Sequence, residues 1–389
     1  MRGKRDWKRT QEALKQGFRS KSKAFQPIFV EREVKGLSIY IDKKLQKLEP
    51  YTPGEQPKGV DRLVKLNTNE SPYPPAPSVV AAVSRAAAGL NLYSDPTCSR
   101  AVNAVAEWYG MESEQVFLSN GSDETLAFIF HGLCPSGAAF PDITYGFYRV
   151  FADMFGVKAR IIPLDTDYRI RTEDYKGLKE TVFIANPNAP TGILLSLDKI
   201  EELLVQDKNR LVVVDEAYID FGGESAVNLL NKYINLIVVQ TFSKSRSLAG
   251  GRIGFALADR ELICDLNRMK YSFNPYNVNT LSILAAQAAI TDKEYFEKCT
   301  KSIIESRTYI TERLRSSGFR VLDSSSNFVL AGQNPRIKAF DYYKALRDNK
   351  ILVRYFPSDR IDDFVRITVG TAEQMRLLGD VTENILKGC

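Results

Sequence analysis

Histidine is almost missing from this chain. Among 389 residues there is one, His131, in Phe128-Ile129-Phe130-His131-Gly132-Leu133. That run reads as part of a buried helix, so a packed core histidine is expected there. Proton transfer in any chemistry performed here then falls to lysine, carboxylate or tyrosine. Cysteine is scarce too. The five at 98, 134, 264, 299 and 389 are odd in number, widely spaced and lack a C-x-x-C pair. This excludes a zinc ribbon or disulfide framework and implies a reducing, cytoplasmic setting; no metal site is expected. No apolar run approaches the ~20 residues that span a bilayer, so no membrane partner is expected either.

The body of the chain also lacks an excess of positive charge. The net charge of +6 is concentrated in residues 1–36, which hold 11 Lys/Arg against 4 Asp/Glu. The remainder is close to neutral, so no nucleic-acid partner is expected. Within the basic segment Trp7, Leu14 and Phe18 recur at helical spacing. It offers no folded binding module and reads as a flexible or dimer-packing extension.

What is present is an alternation of helices and short apolar strands, the mark of a parallel sheet in an α/β protein. Strands are expected at 116–118, 138–140, 159–162, 182–184, 211–214 and 236–239. Helices are expected at 77–88, 100–109, 125–133, 146–155, 197–205, 260–272, 280–290 and 294–316. Before them, residues 39–48 pattern as a helix, and 63–66 as a short strand. After residue 316 the pattern turns β-rich, with strands at 320–322, 327–330, 351–353 and 364–368. That shift marks a smaller α+β domain. The expected organisation is an extension at 1–36, an arm at 37–75, a large domain at 76–290 and a small domain at 291–389.

Chemistry concentrates at strand ends. Leu236-Ile237-Val238-Val239 leads into Thr241-Phe242-Ser243-Lys244 and on to Gly250-Gly251-Arg252-Ile253-Gly254. A lysine just past the carboxyl end of a parallel strand lies where open α/β sheets bind ligands. Ser243 and Arg252 can supply a hydroxyl and a forked guanidinium to one phosphate, and the glycines let backbone approach it. An amine beside a phosphate seat suggests pyridoxal phosphate bonded to Lys244. Asp215 ends Val212-Val213-Val214, in a dry place where a carboxylate needs a cation such as a protonated pyridine nitrogen. Gly121 and Ser122, followed by Asp123, open a helix whose free N–H groups suit an anion. Tyr145, after another strand, could stack on the ring.

Four segments together resemble the fold-type I aminotransferases: Asn186-Pro-Asn-Ala-Pro-Thr-Gly192, Val214-Asp-Glu-Ala-Tyr218, Thr241-Phe-Ser-Lys244 with Leu248-Ala-Gly-Gly-Arg252, and Val365-Arg-Ile-Thr-Val-Gly-Thr371. Leu66-Asn-Thr-Asn-Glu-Ser-Pro-Tyr73 and Ser119-Asn-Gly-Ser-Asp-Glu124 make it similar, within these, to the histidinol-phosphate aminotransferases. The likeness spans about residues 48–387.

It implies a mostly parallel seven-stranded sheet, pyridoxal phosphate, a homodimer, and transamination of histidinol phosphate with 2-oxoglutarate in histidine biosynthesis. The alternative is an aromatic aminotransferase or a threonine-phosphate decarboxylase-like enzyme on the same fold. By this resemblance Lys244 is the Schiff-base lysine, Asp215 holds the pyridine nitrogen and Tyr218 the ring hydroxyl. Gly121, Ser122, Asp123, Ser243 and Arg252 cradle the phosphate, which Tyr93 reaches from a neighbouring subunit. Arg366 takes an α-carboxylate, Arg354 and Tyr51 the substrate phosphate, and Asn69 belongs to the same substrate pocket. One position departs: where the family has asparagine before Pro-Thr-Gly, this chain has Ala189. Asn188 or Asn186 then substitutes at the ring hydroxyl, or Tyr218 acts alone.

Overall fold

The computed structural model describes residues 38–56 and 63–389, so the basic segment 1–36 lies outside the described residues. A short β1 (Val64–Lys65) precedes α1 (Pro77–Ala86) and α2 (Ser99–Tyr109). Alternation then begins with β2 (Val116–Ser119), α3 (Ser122–Gly132), β3 (Ala138–Pro141), α4 (Phe147–Phe155) and β4 (Ala159–Ile162). It continues through β5 (Thr181–Ala185), α5 (Leu197–Gln206), β6 (Val212–Asp215), β7 (Leu236–Thr241), β8 (Gly254–Ala258), α6 (Arg260–Phe273) and α7 (Thr280–Thr291). Strands β2 to β8 form one seven-stranded sheet in the order β2-β8-β7-β6-β5-β3-β4. All of its pairings are parallel except the two made by β8.

The apolar runs of β5, β6 and β7 are continuous because both sheet faces are covered. Side chains alternate with period two between separate cores. Val182, Ile184, Val212, Val214, Leu236 and Val238 enter one, packed with α1, α2 and α7 residues. Phe183, Val213, Ile237 and Val239 enter the other, with the aromatic faces of α3 and α4. Register places Ala185, Asp215 and Val239 side by side at one edge. The segments after these strands therefore converge on one crevice. The antiparallel β8, which the sequence reading did not separate, matters here. Running backwards, it begins at that same edge, with Gly254 opposite both Ser119 and Thr241.

The long α8 (Lys293–Ser316), capped by Asp292 accepting from the Tyr295 N–H, opens the second part of the fold. It packs with β9 (Arg320–Val321), β10 (Phe328–Gly332), α9 (Ala339–Asp348), β11 (Ile351–Leu352), β12 (Arg354–Tyr355), β13 (Phe364–Thr368) and α10 (Ala372–Lys387). Strands β12, β13, β10 and β9 form an antiparallel sheet, while β1 pairs in parallel with β11. The segment before α1 thereby joins this part, burying Leu66 in its core.

Three expectations are corrected. The β-rich tail also holds two helices, α9 and α10; the latter starts with a Thr371–Gln374 capping box, a readable signal that was passed over. Residues 39–48 form only a single turn, Lys43–Leu45. Ile39 and Tyr40 there are 89% exposed, and a short helix with no apolar partner is marginal. His131 lies in the last turn of α3, but its side chain is exposed, resting against Phe155 at 5.0 Å between ring centroids. The helix buries its Phe128, Ile129 and Phe130 face instead.

Candidate active site

A cavity of about 270 Å³ opens at the carboxyl edge of the seven-stranded sheet. Six segments build it: the turn at Thr68–Glu70, the start of α3, the loop after β3 with Tyr145, the turn after β5, the end of β6 with Ala217-Tyr218, and the loop from β7 to β8. Lys244, Asp215, Tyr218, Ser243, Arg252 and Tyr145 all line it, as do Ser122 and Asp123.

Lys244 is held loosely. Its Nζ donates to the Thr68 carbonyl at 3.5 Å and lies 5.6 Å from the centre of the Tyr218 ring. The Tyr218 hydroxyl accepts from Asn69 Nδ2 at 3.0 Å, which leaves its own proton free to donate. Asn69 is thus turned onto Tyr218, and it also meets Thr368 through its backbone N–H at 2.9 Å.

Asp215 is buried at 5% exposure with no ion-pair partner among the described residues. It accepts from the Tyr148 hydroxyl at 3.0 Å and from the Ala217 N–H at 3.3 Å. Burial pushes its carboxyl up to about 6 despite the Tyr148 bond, with the Asp123 charge adding to the rise. Tyr148 was missed as a site residue. It stands three positions after Tyr145 and lies behind the cavity wall: Tyr145 donates to Asp123 at 2.6 Å, Tyr148 to Asp215. Glu216, next along, points away and is clamped by Ser225, the Ala226 N–H and Gln240; burial raises it to about 7.

At the other end of the cavity, α3 begins after Gly121, whose φ is 82°. A Cβ there would sit 2.6 Å from Arg252 Nη2. Gly254 is required for a similar reason, since a side chain would strike the backbone of Gly121 and Ser122. Gly250, by contrast, has open space where a side chain would stand.

Several expected residues lie elsewhere. Asn188 does not line this cavity. Its amide donates to the Ile143 carbonyl and Thr191 Oγ1, and its oxygen accepts from Thr144 at 2.8 Å. Asn186 is likewise occupied, bonded both ways to the backbone of Leu195. Ala189 does line the cavity, as does Tyr218. Asn188 instead faces a larger cavity of about 440 Å³, whose Arg171 and Lys199 are paired with Glu173 and Glu202. Tyr93 is 84% exposed and stacked on Tyr276. Tyr51 stacks on Phe147 at 4.4 Å. Arg354 donates to the Thr52 and Pro53 carbonyls, and Arg366 to the Asn67 carbonyl at 3.1 Å. The Arg366 guanidinium lies 5.4 Å from each of the Phe328 and Phe356 rings, and its Nε is buried without a partner among the described residues. Burial holds that guanidinium below its ordinary value.

The residues present fit pyridoxal phosphate. Asp215 is a buried anion lacking a cation, and a pyridinium nitrogen is one. Gly121 lets the Arg252 guanidinium approach the start of α3, where it, Ser243 and the free N–H groups of the helix could together hold a phosphate. Lys244 lies between these two ends.

The model of "Aminotransferase class I and II" matches residues 61–380. The histidinol-phosphate aminotransferase of Brachyspira hyodysenteriae is 47% identical over 355 residues, covering 90% of this chain and all of that one. That of Clostridium beijerinckii is 46% identical over 345 residues, covering 88% of this chain and 96% of its own. In fold, the histidinol-phosphate aminotransferase of Sinorhizobium meliloti, solved in complex with pyridoxal-5'-phosphate, aligns with a TM-score of 0.80. It covers 91% of this chain and 99% of its own, at 24% identity. The chain belongs to the class I and II aminotransferases and, within them, to the family of these histidinol-phosphate aminotransferases.

Proposed function

We propose that this chain moves an amino group between histidinol phosphate and 2-oxoglutarate, using pyridoxal phosphate held in the 270 Å³ cavity. The observation that carries the reading is one cavity lined by Lys244, Asp215, Ser243 and Arg252, with two further guanidiniums, Arg354 and Arg366, directly opposite each other on neighbouring strands of the antiparallel sheet. One substrate bears a phosphate and the other two carboxylates, so both need guanidinium partners in one pocket.

When bound, pyridoxal phosphate supplies the carbonyl that exchanges with the amine and the ring that withdraws electrons from the substrate Cα. The chain's own groups do the rest. Lys244 Nζ would hold the cofactor and is the amine placed to carry a proton at the substrate Cα. The Asp215 carboxylate keeps the pyridine nitrogen protonated, and Tyr148 helps keep that carboxylate ionised. The Tyr218 hydroxyl donates to the ring oxygen. Ser243, Arg252 and the N–H groups that begin α3 bind the phosphate. Arg366 receives the α-carboxylate of glutamate; Arg354, with Tyr51, receives the distal anion.

The enzyme acts as a homodimer in the cytoplasm. An exposed apolar patch at Leu92 (71%), Tyr93 (84%) and Phe273 (77%) supports a second copy there, with Tyr93 reaching the partner's phosphate seat. Free cysteines at all five positions suit a reducing compartment. No described helix is long and apolar enough to cross a membrane. The test is a substrate screen with 2-oxoglutarate as acceptor. Histidinol phosphate is expected to exceed phenylalanine, tyrosine and threonine phosphate in kcat/KM by at least tenfold. A higher value for any of these overturns the assignment.

A further inference from the structure

A negative charge is out of place beside a phosphate seat, yet Asp123 is the second residue of α3 and lines the cavity. Its carboxylate is engaged twice. One oxygen accepts from the Tyr145 hydroxyl at 2.6 Å, the other from Arg252 Nη2 at 3.1 Å. These two partners come from opposite sides of the crevice, one after β3 and one before β8. Tyr145 faces the ring position and Arg252 the phosphate. Burial first, and then the Asp123 charge, keep the Tyr145 phenol protonated well above its ordinary value, so it remains a donor. Arg252 has a left-handed backbone, φ 48°, and its side chain is 48% exposed. Unheld, so long a side chain loses rotamer freedom each time it closes on a ligand.

We propose that the Asp123 side chain is a positioning residue that fixes Arg252 and Tyr145 in one constellation, so that phosphate clamp and ring-stacking face are set together. This rests on the cavity being a pyridoxal-phosphate site. Two effects compete at this position. Repulsion between Asp123 and the phosphate weakens binding, whereas preorganisation of two partners strengthens it. With Asp123 34% exposed, solvent and salt damp the repulsion. The Asp123–Arg252 ion pair is damped in the same way, but the hydrogen bond from the largely buried Tyr145 hydroxyl is not, so preorganisation wins.

The experiment is equilibrium dialysis of pyridoxal phosphate against purified chain resolved of cofactor, with folding checked by circular dichroism. Asp123→Ala is expected to raise the dissociation constant roughly 10- to 100-fold. In a Tyr145→Phe background the same change is expected to cost at least threefold less, because the two residues share one contact. Asp123→Asn keeps the volume and an acceptor for Arg252, so it is expected to recover most of the affinity and serves if the alanine variant does not fold. Affinity that is unchanged or tighter in Asp123→Ala, affinity tighter than the unsubstituted chain in Asp123→Asn, or full additivity with Tyr145→Phe overturns the inference while leaving the functional reading intact. Failure of the unsubstituted chain to bind pyridoxal phosphate overturns the functional reading and this inference with it.

Discussion

Arg354 and Arg366 are direct cross-strand partners in the β12–β13 pair. Like charges directly opposite each other destabilise an antiparallel pair. Among the described residues no carboxylate pairs with either; carbonyls hold them instead, Arg354 by Thr52 and Pro53 and Arg366 by Asn67. An arrangement that costs stability without a ligand is well suited to an anionic one.

The two arginines are expected to separate the half-reactions. Histidinol phosphate has no carboxylate beside its amine, so Arg366→Ala should impair glutamate and largely spare histidinol phosphate. Arg354→Ala should impair both, since it takes either the phosphate or the γ-carboxylate. Each lost charge-assisted contact is worth about 2–4 kcal/mol, roughly 30- to 1,000-fold in kcat/KM. Single-turnover kinetics with each substrate alone decide this. Equal impairment of both half-reactions by Arg366→Ala sinks the substrate assignment while leaving the cofactor chemistry standing.

Asp215 predicts a trade of stability for function. Its carboxyl is raised from 3.8 to about 6, so the folded chain without cofactor holds this proton more tightly than the unfolded chain does. Stability from this group is therefore full below about pH 4, falls as pH rises, and is lost above about 6. Two units correspond to about 3 kcal/mol. Asp215→Asn removes the penalty. In denaturant melts the cofactor-free variant is expected to be about 1–3 kcal/mol more stable than the parent at pH 8 and no more stable at pH 4. Transamination is expected to fall by roughly a thousandfold or more. A parent more stable than the variant at pH 8 would show that Tyr148 and Ala217 fully compensate the buried charge.

Lys244 should be the covalent anchor. Borohydride treatment of the loaded protein is expected to leave a pyridoxyl group on Lys244, identified by peptide mass. Lys244→Ala should abolish transamination and retain much of the cofactor affinity supplied at the phosphate end. An adduct on any other lysine would refute the assignment.

Tyr218 is expected to serve the ring oxygen, because Ala189 has no donor and Asn186 and Asn188 are bonded elsewhere. A donor to an anionic oxygen favours the anion. Ala189→Asn is therefore expected to shift the bound cofactor's absorbance titration to lower pH. A superimposable titration would mean that Tyr218 already satisfies that oxygen.

The parallel sheet and its chemical edge were legible because buried strands write themselves as apolar runs and the reactive residues follow at their ends. Asp215 after Val212-Val213-Val214 and Lys244 after Leu236–Val239 needed only that periodicity. The sequence alone also narrowed the proton-transfer groups, since a single histidine leaves lysine, carboxylate or tyrosine to act, and its motifs taken together carried the family resemblance. Tertiary structure decided which side chains face the cavity. Asn188 and Ala189 are adjacent, but backbone direction in a turn sends one to Ile143 and the other to the cavity wall. His131 and Phe130 are adjacent on α3, and only packing against Tyr148 and Phe183 determined which was buried. Arg252 reaches the phosphate seat because β8 runs antiparallel, and the Tyr148–Asp215 bond joins residues 67 positions apart. Periodicity reports local geometry; pairings across such distances are set by how the sheet, its helices and its loops close on one another.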